Sequence, residues 1–186
     1  MNVYLISDTH LKHANMTTYC QRPSNFTEVI HRNLMNILKE DTLLIHLGDV
    51  GISKAENWEW MIRAWPGTKV LVRGNHDRQH SVTWWMEHGF NFACDGFMFC
   101  NWWLTHEPAN SRPGGCDGNI HGHLHNVWDG FHPDEGKDDP GFSKSSLKYP
   151  WQRLFAVEYT NYMPVEFDKF ISHPDKYNAR GPQYKP

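Results

Sequence analysis

Lys69-Val70-Leu71-Val72-Arg73-Gly74-Asn75-His76-Asp77 decides how the rest of the chain is read. Its apolar start has the length and branching of a buried parallel strand. A glycine then releases the chain into a turn, and an amide, an imidazole and a carboxylate follow in consecutive positions. Such groups at the end of a core strand are costly unless something charged sits there to receive them. Four other places repeat the layout, a short apolar run that stops at Asp, His or Gly-Asp. The five ends are expected to meet at one site.

Upstream, Val3–Ser7 runs into Asp8-Thr9-His10. Strand side chains alternate, so Asp8 and His10 share a side if strand geometry persists, and could chelate one ion. A plain Asp-Thr turn is the competing reading. Leu43–Leu47 is a second buried strand ended by Gly48-Asp49-Val50-Gly51, with Asp49 at the tip and His46 inside as a hydrogen-bonded core histidine. Downstream, Asp95-Gly96 signals a hairpin, and the long strand Phe97–Thr105 ends at His106. Asn119-Ile120 leads to His121-Gly122-His123-Leu124-His125, where Gly122 lets the backbone approach a bound group. His121 is read as a core or supporting residue.

Between these strands lie helical patterns. Phe26, Val29, Ile30, Leu34, Ile37 and Leu38 recur at helical spacing behind Asn25 and Glu28, which resemble a capping box, while His31 falls off the stripe and is expected exposed. Ser53 and Glu56 form a second box ahead of Trp58, Met61, Ile62 and Trp65, and Ser81–His88 is a short helix stopped by Gly89. The tryptophans are read as core rather than as a stacking platform. Lys12–Ser24 is a turn-rich loop leaving the first strand's carboxyl end, from which His13, Asn15 and Arg22 could reach a substrate phosphate or simply be solvated. Residues 130–150 read as a polar surface loop or insertion. Arg153–Thr160 reads as a last strand, Val165–Ile171 as a closing helix, and the tail from His173 as loosely packed.

The 186 residues suffice for a single domain with a sizeable core, and no linker divides them. A net charge of −3 gives no basic stripe for nucleic-acid phosphates. The four cysteines, Cys20, Cys94, Cys100 and Cys116, have no metal-ribbon spacing and are read as reduced thiols in a cytoplasmic compartment. No run approaches the roughly 18 apolar residues of a membrane span.

Asp8, His10, Asp49, Asn75, His106, His123 and His125 are thus candidate ligands on separate strand ends, where open α/β sheets place their sites. A tetrahedral zinc takes four ligands. Seven oxygen and nitrogen donors suit two divalent ions with one carboxylate shared, and Asp49 is the natural bridge. The absence of cysteine from the set favours manganese, iron or zinc over a thiolate site, with nickel a further option.

In this order the motifs Asp8-Thr9-His10, Gly48-Asp49, Gly74-Asn75-His76-Asp77, His106 and Gly122-His123-Leu124-His125 resemble the calcineurin-like metallophosphoesterases. The resemblance implies an α/β fold of two packed mixed β-sheets flanked by helices, a four-layer αββα sandwich. It implies one metal held by Asp8, His10, Asp49 and His125, and another held by Asp49, Asn75, His106 and His123. It further implies hydrolysis of a phosphodiester or phosphomonoester by a metal-bridging hydroxide, with His76 as general acid and Asp77 orienting it. The missing Asp-Arg-Gly motif disfavours a protein phosphatase. The chain looks more like the small compact bacterial or viral phosphoesterases, which implies action on a small molecule, a nucleotide or a cyclic nucleotide. A non-catalytic scaffold or interaction protein on the same fold is the alternative, and the retained His76 argues against it.

Overall fold

The structure is a computed structural model and describes residues 1–52, 54–126 and 149–177. Three apolar runs form the expected parallel strands β1 (Val3–Ile6), β2 (Leu43–His46) and β3 (Thr68–Val72). β4 (Phe92–Cys94) pairs parallel to β3, and β9 (Val165–Glu166) pairs antiparallel to β1, giving the order β4-β3-β2-β1-β9. A second mixed sheet has the order β5-β6-β7-β8, from β5 (Phe97–Phe99), β6 (Trp102–Leu104), β7 (Gly118–His121) and β8 (Gln152–Leu154). Two mixed sheets flanked by helices are therefore the architecture, as the motif order implies.

The sheets share one buried cluster. Leu5, Ile6, Leu44, Ile45, Leu71 and Val72 of the first meet Leu104 and Ile120 of the second and Phe155 just beyond β8. Helix α2 (Phe26–Ile37) buries Phe26, Ile30 and Leu34, and α3 (Glu59–Ala64) buries Met61 and Ile62. In α4 (Val82–Glu87) Ser81 caps the helix by accepting the Trp84 N–H at 3.1 Å. Trp58 and Trp85 stack at 5.6 Å inside this core, consistent with a packing role. Helix α5 (Phe167–Ser172) ties the sheets together, Phe167 edge-on to Phe99 at 5.1 Å and Phe170 against Phe155 at 5.2 Å.

Several local expectations give way. Phe97–Thr105 is two strands, because Cys100 and Asn101 at φ 45° and 65° close a two-residue hairpin. Asp95-Gly96 is not that hairpin but the crossing between sheets. Its Asp95 is engaged by a bidentate pair with Arg73, at 2.7 Å and 2.9 Å from Nη2. Arg153–Thr160 stops as a strand at Leu154 and coils into a 3₁₀ turn, Val157–Thr160, while the expected closing helix begins with the two-residue β9. Lys12–Ser24 contains one helical turn, α1 (Met16–Tyr19), anchored by buried Met16. Neither Asn25 nor Glu28 makes the expected box: Asn25 makes no side-chain cap bond, and Glu28 instead accepts from the Lys12 ammonium at 2.5 Å. His31 is half-buried and accepts the Trp65 indole N–H at 3.0 Å. Pro174–Tyr177, expected loose, is a turn with Pro174 buried and Tyr177 stacked on Phe170 at 5.7 Å. Ser53, nearly all of 130–150 and the last residues of the tail lie outside the described residues.

The β5–β6 turn gives a test. Positive φ costs an ordinary L-residue roughly 1 kcal/mol, and two-residue hairpin turns prefer Asn-Gly. Replacing Cys100-Asn101 by Asn-Gly is expected to raise unfolding stability by about 1 kcal/mol in urea titration.

Candidate metal centre

Because β1, β2 and β3 run parallel, their carboxyl ends lie along one edge of the sheet. Backbone pairing continues past the strands: Asp8 N–H donates to Gly48 O at 2.9 Å, His10 N–H to Asp49 O at 3.0 Å, and Leu11 N–H to Val50 O at 2.8 Å. Strand geometry itself does not persist through Asp8-Thr9-His10. Asp8 and His10 adopt φ 52° and 43°, and Asp49, His123 and His125 are likewise left-handed at 55°, 72° and 49°. These twists, not alternation, bring Asp8 and His10 together. Each costs on the order of 1–3 kcal/mol and persists only where its neighbours over-determine it. Thr9 turns the other way, donating to Val50 O at 2.8 Å and meeting His46 Nε2 at 2.9 Å. His46 is the buried, bonded core histidine expected, and burial pushes its imidazole down to about 3.

Two donor groups result. Asp8, His10 and His125 present ligand atoms within 4.8 Å of one another, and so do Asp49, His106 and His123. In the first, His125 Nε2 stands 3.2 Å from His10 Nε2 and 3.6 Å from Asp8 Oδ1. In the second, Asn75 Oδ1 lies 3.0 Å from His106 Nε2 and 3.1 Å from His123 Nδ1. Asp49 Oδ2 sits between the groups, 3.6 Å from His10 Nε2 and 3.4 Å from His106 Nε2. All seven candidate ligands are thus brought together. Ring nitrogens and carboxylate oxygens pointed at common centres are donors for divalent cations. Among the described residues Asp8 Oδ1 is buried without a hydrogen-bond donor, while Oδ2 accepts from Ser7 Oγ and from His123 N–H at 3.0 Å. A buried carboxylate oxygen left in that state fits a cation.

Orientation is fixed from behind. His106 Nδ1 contacts Leu47 O at 2.8 Å, a bond that turns Nε2 inward. Three motif glycines are required by space, and a Cβ on Gly48 would meet the His106 ring and the Gly74 backbone. A Cβ on Gly74 would run into the Asp49 carboxylate, and one on Gly122 into Ser7 Oγ and Asp8 Oδ2. The two groups differ in access: Asp8, His10, Asp49 and His125 are buried, whereas Asn75 and His76 are exposed and His123 half-buried. Ligands must therefore enter past Asn75, His76 and His123.

The two carboxylates set the charge of the centre. Burial works against the His106 imidazolium, yet contact with Asp49 and the charge of Asp8 raise it to about 9. Burial also opposes charge on His125, which Asp8 and Glu158 nevertheless lift well above the usual imidazole range. The two carboxylates therefore favour positive charge at this centre, and a bound cation would compete with ring protons for the same nitrogens.

The profile of the calcineurin-like phosphoesterase superfamily domain matches residues 1–130. The chain belongs to the calcineurin-like phosphoesterase superfamily. Within the wider set of relatives it is similar to the uncharacterized protein MJ1445 of Methanocaldococcus jannaschii, 31% identical over 181 residues, spanning 94% of this chain and 92% of that one. It is also similar to the crystal structure of the protein of unknown function AQ665 from Aquifex aeolicus, with a TM-score of 0.64 and 26% identity over 92% of this chain and 98% of that one.

The calcineurin-like motif residues around these ligands divide differently from expectation. His76 is at the mouth, its Nε2 3.9 Å from Asp49 Oδ2 and its backbone N–H donating to Asp49 Oδ1 at 3.1 Å. Asp77 does not orient it. Fully buried, Asp77 accepts backbone N–H groups from Asp49 at 2.7 Å, Val50 at 3.0 Å and Gly74 at 2.8 Å, so both oxygens are spent on the loops. Burial and the Asp49 charge push its carboxyl up to about 6 against those bonds. Arg22 is also not a free phosphate contact: its buried guanidinium pairs with Glu158 at 2.7 Å and donates to Asp8 O and Thr9 O. Glu158 was not singled out by sequence, since no motif marks it. Burial opposes its charge, but Arg22 and His125 hold its carboxyl at about 2. His13 reaches the site, its ring 5.7 Å from that of His10, whereas Asn15 is exposed at the start of α1 with no side-chain bond to the site among the described residues.

Removing Asp77 separates these roles. Asp77→Ala leaves three buried N–H groups unsatisfied, each costing roughly 1–3 kcal/mol. The expected result is a loss above about 3 kcal/mol in chemical denaturation. An unchanged stability with only activity reduced would restore the orienting role.

Proposed function

We propose that this protein is a dinuclear metal-dependent phosphoester hydrolase acting on a phosphodiester or phosphomonoester of a small molecule, including nucleotides and cyclic nucleotides. The observation that carries the reading is the placement of Asp49 Oδ2 between His10 Nε2 and His106 Nε2, at 3.6 Å and 3.4 Å. One carboxylate oxygen shared by two donor groups is the arrangement of a paired-cation site. Asp8, His10, Asp49 and His125 would hold one ion, and Asp49, Asn75, His106 and His123 the other. The nitrogen and oxygen donor set suits manganese first, then iron, zinc or nickel. Bound there, two divalent cations supply Lewis acidity to the phosphoryl group and make hydroxide available near neutral pH.

The chain's own residues do the rest. His76, with its side chain 47% exposed, stands at the open side, where it can hand a proton to a leaving oxygen. Asp49 grips its backbone through Oδ1 and so holds residue 76 at the edge of the centre. His13 lies beside His10 at the same mouth and can donate to a substrate phosphate. The four cysteines as free thiols suit action in the cytoplasm.

The test is hydrolysis of bis-p-nitrophenyl phosphate, p-nitrophenyl phosphate and a panel of nucleotides and cyclic nucleotides with manganese added. Turnover of at least one is expected, and none at all with two metals bound overturns the reading. His76→Ala is expected to keep both metals and lose about 10²–10⁴-fold in kcat on alkyl phosphates, with a much smaller loss on p-nitrophenolate, which leaves without a proton. Equal losses on both would remove the acid role. Asp49→Ala is expected to abolish uptake of both ions, read by elemental analysis after gel filtration.

A further inference from the structure

The ion pair between Arg22 and Glu158 lies behind the first donor group and outside every motif, and Glu158 is beyond the residues matched by the family profile. Both side chains are buried, Arg22 at 0% and Glu158 at 5% side-chain exposure. His125 Nδ1 meets both of them, Glu158 Oε1 at 3.2 Å and Arg22 Nη2 at 3.3 Å. In the neutral ring that a cation requires, these contacts demand opposite tautomers. Arg22 has only donors, so a bond from it would leave Nδ1 bare and put the ring proton on Nε2, facing Asp8. A bond to Glu158 needs the proton on Nδ1 and frees the Nε2 lone pair.

Counting protons decides between them. Arg22 Nη2 carries two, and shorter contacts take both: Asp8 O at 2.8 Å and Glu158 Oε1 at 2.7 Å. Nδ1 is therefore the donor and Glu158 the acceptor. The guanidinium is pinned by Thr9 O at 3.1 Å and by its Nε on Glu158 Oε1 at 2.9 Å, so it cannot swing away. Cys20, His125 and Glu158 also lie close enough to suggest a third cation group. The Arg22 cation already sits on that carboxylate.

Resting on the dinuclear reading above, we propose that Glu158 is a positioning residue that selects the His125 tautomer, leaving Nε2 as a lone-pair donor to the first cation, and that Arg22 holds Glu158 in place for it. Removing such a partner weakens metal affinity by about 10- to 100-fold.

The experiment is manganese titration of the full chain by calorimetry and by electron paramagnetic resonance, for wild type, Glu158→Gln, His125→Ala and the double variant. Wild type is expected to bind two ions. Glu158→Gln should weaken one site about 10- to 100-fold, leave the other unchanged, and add nothing in the His125→Ala background. Two tight sites with Glu158→Gln indifferent, or both sites weakened alike, overturn the inference and leave the dinuclear reading standing. A wild type that takes up no metal overturns both. A further readout needs no variant: the ¹⁵N spectrum of zinc-loaded wild type should show His125 protonated at Nδ1, and a proton on Nε2 overturns the assignment.

Discussion

The structure depends on where one carboxylate stands. Asp49 sits at the tip of the middle parallel strand, buried, with one oxygen facing histidines from two different donor groups and the other holding the backbone of His76. Burial disfavours its charge, yet the bond to His106 and the nearby imidazoles keep it below the usual carboxylate range. A second carboxylate, Asp8, is buried nearby with an oxygen that no donor among the described residues meets. Two negative groups in so dry a place need positive charge, and protonated rings or metal ions are the available sources.

That constraint explains the layer behind the ligands. Asp77 gathers the N–H groups of Asp49, Val50 and Gly74, so the loops after β2 and β3 are locked to each other. The Trp85 indole N–H in turn donates to Asp77 O at 3.0 Å, tying that loop to α4. Arg22 and Glu158 lock the loop after β1 to the turn after β8. Ligand residues with left-handed backbones are tolerable only because such bonds hold them there. The glycines of the motifs serve the same closeness, since a methyl group on Gly74 or Gly122 would collide with a carboxylate and one on Gly48 with the His106 ring.

Much of this was legible in residues alone. The parallel strands, the helices packed on them and the seven donors follow from apolar runs that stop at Asp, His or Gly-Asp, because burial and charge conflict wherever that pattern occurs. The places where reading failed are short or two-faced. β9 has two residues, too few for any periodicity. The Cys100-Asn101 turn carries no Gly, so its signal was weaker than that of Asp95-Gly96, which Arg73 had already claimed. Asp77 follows His76 directly, and adjacency suggested a partnership that the turn geometry sends elsewhere.

The sequence by itself determined which donor side chains stand at strand ends, because local pattern fixes what must be buried and what resists burial. Tertiary structure alone decided the supporting cast. Glu158 meets Arg22 and His125 across separations of 136 and 33 residues. Whether a lone glutamate on a short turn faces solvent or closes a buried ion pair depends on the packing of both sheets, and no local pattern records that.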